Sequence, residues 1–290
     1  MSAFHRGDLP AAPAVDRPAD APNRRLRPLA ELPSERLRSV RGVLTDIDDT
    51  LTADGAIAPA ALHALGDLAA AGVPVIAITG RPAGWSEPMA RAWPVAAIVA
   101  ENGGVMLRRD AAAPDGLRRD YTVDEATRAA RFARLQACAA EVLARVPGAT
   151  LAQDSPGRLT DIAIDHSEFA HLDAAQIDAV CAVMRAHGLT ATVSSIHVNG
   201  WIGEHSKWTA AAWAVSEVLG QAFGPAEQAD WLYVGDSTND QLMFERLPLS
   251  VGVANIARFV PQLAHLPAWV TQAERGEGFA ELAARVLAVR

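Results

Sequence analysis

The strongest constraint in the chain is where its polar residues fall relative to its short apolar runs. Val43 to Ile47 is an apolar-rich run that leads into acidic residues, and Val73 to Ile78 closes on Thr79-Gly80-Arg81. Val95 to Val99 closes on Glu101-Asn102-Gly103-Gly104, and Trp231 to Val234 runs into Gly235-Asp236-Ser237-Thr238-Asn239-Asp240. Runs this short and apolar predict buried strands. Between them, Pro59 to Ala71 has helical spacing, with Leu62, Leu65 and Leu68 on one face and Gly72 as the stop, and Ser86 to Trp93 predicts another helix. Strand alternating with helix gives an α/β fold, a Rossmann-like parallel sheet with helices on both faces. In such sheets ligands bind in the crevice beyond the carboxyl ends of the strands, where these polar clusters lie.

The middle of the chain breaks this rhythm. Asp124 to Val146 predicts a long helix, stopped by Pro147-Gly148. Short strands are expected at about Thr150 to Gln153 and Leu159 to Ile164, then a helix from Asp173 to His187 and one alternating strand from Thr190 to Val198. That order reads as a small α+β module with a sheet open on one face. The first pattern resumes with a helix from Lys207 to Leu219 and continues to a closing helix from Gly278 to Val289. The expected organisation is a loosely packed or disordered extension over 1–38, a core of 39–118 and 201–290, and an inserted domain of 119–200.

Composition narrows the function classes. The 290 residues are 50% hydrophobic with a formal net charge of −8, which argues against nucleic acid or an anionic membrane as a general partner. An anionic substrate would need local positive charge. No apolar run approaches a membrane span. The two cysteines, Cys138 and Cys181, fall in predicted amphipathic helices with no CxxC spacing, so they read as buried thiols suited to a reducing cytoplasm.

Taken singly, the polar clusters are ambiguous. Asp46, Asp48 and Asp49 at one strand end repel one another, and a cation is the natural compensation, but an acidic turn reads the same way. Thr79 and Gly80 could hold a phosphate oxygen or cap a turn. Lys207 alone is a surface lysine, and Asp236 to Asp240 offers oxygen ligands of the kind magnesium takes or a plain turn.

Read together and in order, Asp46-Ile47-Asp48-Asp49-Thr50, Thr79, Lys207 and Gly235-Asp236-Ser237-Thr238-Asn239-Asp240 resemble the signature of the haloacid dehalogenase superfamily, over about residues 41–290. The insertion between the second and third motifs resembles the α+β cap of the Cof-like, sucrose-phosphatase-like branch. The resemblance implies a phosphatase of a small phosphorylated metabolite. Asp46 would be the nucleophile and Asp48 the acid and base. Mg2+ would be held by Asp46, Asp48 through its backbone carbonyl, and Asp236, with Asp240 or Asn239 close by. Thr79, Gly80 and Lys207 would bind the phosphoryl group, and Thr50 would brace the loop. Many relatives have Gly where this chain has Asp49, and Gly where it has Trp208; Asp49 has no role that the sequence assigns.

The cap is expected to choose the substrate. Candidates are Arg158, Asp161, His197, Asn199 and Trp201 in the cap, and Arg81, Trp85, Glu101 and Asn102 on the core side of the crevice. Each could equally pack or cap. Polar groups and a tryptophan would suit a sugar. The rival readings are a phosphomutase, since Asp46 to Thr52 and Glu101-Asn102-Gly103 also resemble phosphomannomutase, and a catalytically silent binding protein on the same fold. Oligomeric state is not readable from the sequence.

Overall fold

The computed structural model describes residues 26–290. Its strands are β1 (Arg27–Pro28), β2 (Gly42–Thr45), β3 (Thr52–Ala53), β4 (Ala56–Ile57), β5 (Val75–Ile78), β6 (Ala97–Ala100), β7 (Val105–Arg109), β8 (Leu117–Tyr121), β9 (Thr150–Leu151), β10 (Asp161–Asp165), β11 (Thr190–Val193), β12 (His197–Trp201), β13 (Trp231–Gly235), β14 (Leu249–Gly252) and β15 (Trp269–Val270). The α-helices are α1 (Ser34–Arg38), α2 (Pro59–Ala70), α3 (Ala83–Ala92), α4 (Glu125–Arg145), α5 (Ala174–Ala186), α6 (Lys207–Leu219), α7 (Gln241–Arg246) and α8 (Arg275–Leu287).

A 9-stranded sheet runs in the order β1-β15-β14-β13-β2-β5-β6-β7-β8. It is parallel from β1 to β6 and turns antiparallel at β7 and β8. Successive residues of the central strands feed opposite layers. Val43, Val75, Ala77 and Leu232 pack with α2 and α8, whereas Leu44, Ile76, Ile78 and Tyr233 pack with α6 and α7. Burial on both faces is why these runs are continuously apolar.

A second, 4-stranded antiparallel sheet, β11-β12-β10-β9, lies between β8 and α6 in the chain. One face carries Ile162, Ile164 and Val198 against Leu135, Val142, Val180 and Met184 of α4 and α5. Asp161, Asp165, His197 and Asn199 alternate with these apolar positions and supply the other face, which meets the large sheet's crevice. Helices α4 and α5 start at carboxylate caps, Asp124 and Asp173, as their sequences predict.

Three expectations change. Residues 26–38 are not a loose extension: β1 pairs with β15, and Leu29, Leu32 and Leu37 are fully buried. Arg285 ties the segment down through the carbonyls of Ala30 (2.9 Å) and Leu32 (2.6 Å). The surrounding Pro and Arg residues hid that apolar spacing; residues 1–25 lie outside the described ones. The large sheet runs on through β8 to Tyr121, past residue 118. The run Thr190 to Val198 is a hairpin rather than one strand, because Ser194 closes a turn onto His197, with N–H to carbonyl at 2.8 Å and its Oγ accepting the His197 amide at 3.0 Å.

Candidate active site

The sheet's topology brings the ends of β2, β5 and β13 and the start of α6 together. Asp46 leaves β2 buried, and Lys207, the first residue of α6, reaches it with Nζ 2.8 Å from Asp46 Oδ1. The same ammonium lies 2.6 Å from Asp240 Oδ1 and 3.1 Å from Asn239 Oδ1. The Ser206 capping box fixes the helix start and so aims the lysine inward, which removes the surface reading. Burial works against the charge on Lys207, but Asp240 and Asp46 outweigh it and hold its pKa above the ordinary value.

Burial also pushes the Asp46 carboxyl above the usual carboxylate range, Lys207 opposes the rise, and Asp240 and Asp48 add to it. Asp236, fully buried at the end of β13, is raised well above its ordinary value by burial and by Asp240 and Asp46. Charge this poorly compensated calls for a cation.

Carboxylate oxygens of Asp46, Asp236 and Asp240 lie within 4.8 Å of one another. Their bonding separates them. Asp240 Oδ1 accepts from Lys207 and from the Tyr233 hydroxyl, and Oδ2 accepts the amides of Asp236 (2.9 Å) and Ser237 (3.0 Å). Asp240, expected close by the metal, stands in this cluster and also braces the loop and the lysine. Asp236 Oδ2 accepts from Asn255 at 3.2 Å, while its Oδ1 is buried with no hydrogen-bond partner. An orphaned carboxylate oxygen on a member of this cluster fits a hard divalent cation such as Mg2+.

Asp48 turns away from this cluster. Arg81 Nε donates to its Oδ1 at 2.9 Å, and the Thr79 hydroxyl lies 3.5 Å from its Oδ2, so any part its side chain plays in metal binding is indirect. Thr79 is held by the Arg81 amide, which donates to Oγ1 at 3.0 Å. The Thr50 hydroxyl is buried without a partner; the loop is braced instead by Thr52 Oγ1 on the Ile47 carbonyl (3.1 Å) and Thr45 Oγ1 on that of Asp46 (2.8 Å).

The cap candidates converge on the core. Arg158 donates to the Gly80 carbonyl at 2.9 Å while paired with Asp161 (2.8 Å) and Asp154 (3.2 Å), and Asn199 also reaches Gly80 at 3.3 Å. A Cβ at Gly80 would lie 3.3 Å from the amides of Asn102 and Asn199, which explains the glycine. His197 Nε2 lies 2.9 Å from Glu168, whose other oxygen takes Arg81 at 2.9 Å. Glu101 is not a leaving-group contact. Fully buried, it accepts the amides of Ala83 (3.0 Å), Leu159 (3.0 Å) and Thr160 (2.5 Å), pinning the cap to the core. Trp201 stacks on His205 at the return from the cap to the core, and Trp85 lies under the Arg81 guanidinium at 4.9 Å. Asn102, left-handed at φ 54°, keeps an unpartnered buried Nδ2.

Sequence reasoning missed Glu168, Asp154, Tyr233, Asn255, Arg258 and Arg275. Asp49, without a role on sequence, takes Arg258 at 2.9 Å and Arg275 at 3.0 Å. Its φ of 53° falls where glycine is easiest. Directly over Asp46 only about 10 Å³ is open, whereas a cavity of about 430 Å³ begins beside Asp48 and Arg81.

Comparison with known proteins agrees with this fold. The model of the haloacid dehalogenase-like hydrolase family matches residues 43–127. No curated protein matches the sequence. Among solved structures, a protein of Thermoplasma acidophilum is 18% identical with a TM-score of 0.64, covering 87% of this chain and 99% of that one. The C-terminal domain of C. albicans trehalose-6-phosphate phosphatase is 13% identical (TM-score 0.61; 88% of this chain, 96% of that one). The sucrose-phosphatase of Synechocystis, solved with sucrose and phosphate, is 16% identical (TM-score 0.60; 85% and 98%).

Proposed function

We propose that the chain is a haloacid dehalogenase-like hydrolase and, within that family, a magnesium-dependent phosphatase acting on a small phosphorylated metabolite of the sugar-phosphate class. The observation that carries this reading is the buried contact of Lys207 with Asp46, 2.8 Å, beside the unpartnered oxygen of Asp236 and with Asp48 at the mouth of the cavity. The similar trehalose-6-phosphate and sucrose phosphatases support the substrate class.

Asp46 attacks phosphorus, forming an aspartyl-phosphate as the ester P–O bond breaks. Asp48 donates its proton to the departing alkoxide, then takes one from the water that attacks the aspartyl-phosphate and releases inorganic phosphate. Arg81 holds Asp48 Oδ1, which leaves Oδ2 to carry that proton. Thr79, Gly80 and Lys207 receive the phosphoryl oxygens, Lys207 as a fixed point charge. Mg2+ would be held by Asp46, Asp236 and the backbone carbonyl of Asp48, and when bound it supplies the charge that lets a carboxylate approach a phosphate ester.

No helix among the described residues is long and apolar enough to cross a membrane. A cytoplasmic site of action, with two unpaired buried cysteines, belongs to the same proposal.

The test is phosphate release from a panel of phosphoesters with Mg2+ by the native protein and Asp46→Asn. The variant should fold normally and lose turnover, and chelation should silence the native protein reversibly. Near-native activity of Asp46→Asn would refute the nucleophile assignment. Transfer of phosphate to a second sugar hydroxyl, with little inorganic phosphate released, would identify a mutase.

A further inference from the structure

The proton that Asp48 delivers goes to the leaving-group oxygen, so the leaving group must occupy space that Asp48 borders. The cavity of about 430 Å³ meets that condition. A larger one of about 630 Å³, on the hinge side, borders Lys207 and Asn239 but not Asp48. Resting on the phosphatase reading, the chemistry of the first cavity therefore describes the part of the substrate that departs.

Opposite Asp48 and Arg81, that cavity is walled by Arg258 and Arg275 from the core. Neither guanidinium belongs to the phosphoryl-binding motifs. Both turn to one carboxylate: Arg258 Nη2 lies 2.9 Å from Asp49 Oδ2 and Arg275 Nε 3.0 Å from Asp49 Oδ1. Arg258 also lies 3.5 Å from Asp236 Oδ2, at the edge of the metal cluster. Their side chains stay 46% and 33% exposed, so donors remain free to face the cavity. By contrast Arg81, at 6% exposure, is spent on Asp48, Asp154 and Glu168.

The backbone holds this arrangement at a cost. Asp49 and Arg275 both adopt left-handed φ, 53° and 51°. Asn255 fixes the two together, its Nδ2 donating to the Asp49 carbonyl (3.0 Å) and its Oδ1 accepting the Arg275 amide (2.9 Å). Strained non-glycine residues held in place by a buried amide are typical of ligand clamps. Asp54 and Glu168 line the same cavity as acceptors suited to hydroxyl groups.

We infer that the leaving group carries a second anionic group, a carboxylate or phosphate, which Arg258 and Arg275 receive together while its hydroxyls meet Asp54 and Glu168. Each guanidinium keeps donors that Asp49 and Asp236 do not use, and their planar forks match a bidentate anion. Neutral sugar phosphates fill the same space without using those donors.

The experiment compares kcat/KM for matched esters that differ in the second anion: 6-phosphogluconate with glucose 6-phosphate, 3-phosphoglycerate with glycerol 3-phosphate, and fructose 1,6-bisphosphate with fructose 6-phosphate. The carboxylate pairs and the bisphosphate pair distinguish the two anion sources. The expected result is a preference of about 10- to 100-fold for the anionic member of at least one pair. Arg258→Gln and Arg275→Gln should each shrink that ratio, chiefly through KM, and Arg275→Lys should restore part of it. Arg275 is the cleaner probe because Arg258 touches Asp236. Equal use of both members of every pair by the native protein would overturn the inference, as would a preference that survives Arg258→Gln/Arg275→Gln, while leaving the phosphatase reading intact. No phosphate release from any of these esters or from the wider panel would overturn both.

Discussion

The two walls of the cleft are built from similar residues with different partners. On the core wall, Asp46 and Asp236 are buried with too little positive charge to match them, and Asp236 Oδ1 has no partner. On the cap wall the buried carboxylates have partners, Arg158 for Asp161 and Asp154, and His197 with Arg81 of the core for Glu168, although burial and Glu101 still push Asp161 up to about 8. An unbalanced wall is one that binds, since a cation or phosphate entering there relieves repulsion that folding left in place. A partnered wall closes and shapes. On the proposed function the chemistry belongs to the core wall, and the cap encloses it.

The hardest blow to this contrast is Lys207→Met, which strips the core wall of its one central cation. Asp46 and Asp240 would be left buried and uncompensated, at roughly 3–5 kcal/mol of stability. Activity should fall by about 10³-fold or more. Denaturant titration and phosphate release read the two effects. Asp236→Asn should act in the opposite direction on the metal-free fold. Removing one of the mutually repelling carboxylates should stabilise it by about 1 kcal/mol, or roughly 2–4 °C in Tm. The same variant should abolish the rise in Tm that Mg2+ gives the native protein. A destabilised Asp236→Asn would show that the core wall is balanced after all.

On the cap side, Glu101→Gln keeps the shape and removes the charge that receives the amides of Leu159 and Thr160. A loss of about 1–3 kcal/mol in the closed cap is expected, read as faster hydrogen exchange at those two amides. The smallest effect is a pH dependence. The His197 hydrogen bond, with Arg81, holds Glu168 down to about 2 from an ordinary value of 4.5, against the opposing effect of burial. A depressed carboxylate stabilises the fold above its unfolded pKa, and that contribution disappears as pH falls from about 4.5 through 2. The stability gap between the native protein and Glu168→Gln should be constant near neutrality and shrink below about pH 4.5. A gap that is flat to pH 2 would remove Glu168 from the cap's balanced network.

The core wall was largely legible in the sequence because each of its parts is local. An apolar strand predicts its own end, and Asp46, Thr79, Lys207 and Asp236 sit at strand ends or at the first residue of a helix. What the sequence could not convey was pairing across distance. Asp240 has the spacing of a ligand and stands in the cluster, but that Tyr233 and two amides also hold it could not be read, since hydroxyl orientation leaves no trace in a motif. Glu168 follows a strand with no periodic signal, and it reaches Arg81 only because Asp165 gathers the amides of 167 to 170 (2.9 to 3.1 Å) and shapes the loop. The segment 26–38 was misjudged for a different reason: its few leucines are diluted by Pro and Arg, and β1 exists only because β15 lies open beside it.

The cap's seat is made mostly of main chain. Glu101 takes hold of it by the amides of residues 159 and 160, and Gly84 meets Gly157 so closely that a Cβ on Gly84 would come within 3.0 Å of the Gly157 Cα. Main-chain atoms are the same whatever residue bears them. The loops facing the cavity can therefore diverge among descendants of this fold without unseating the lid, and a designer retargeting the enzyme has the same freedom at Ser167 and Ser195.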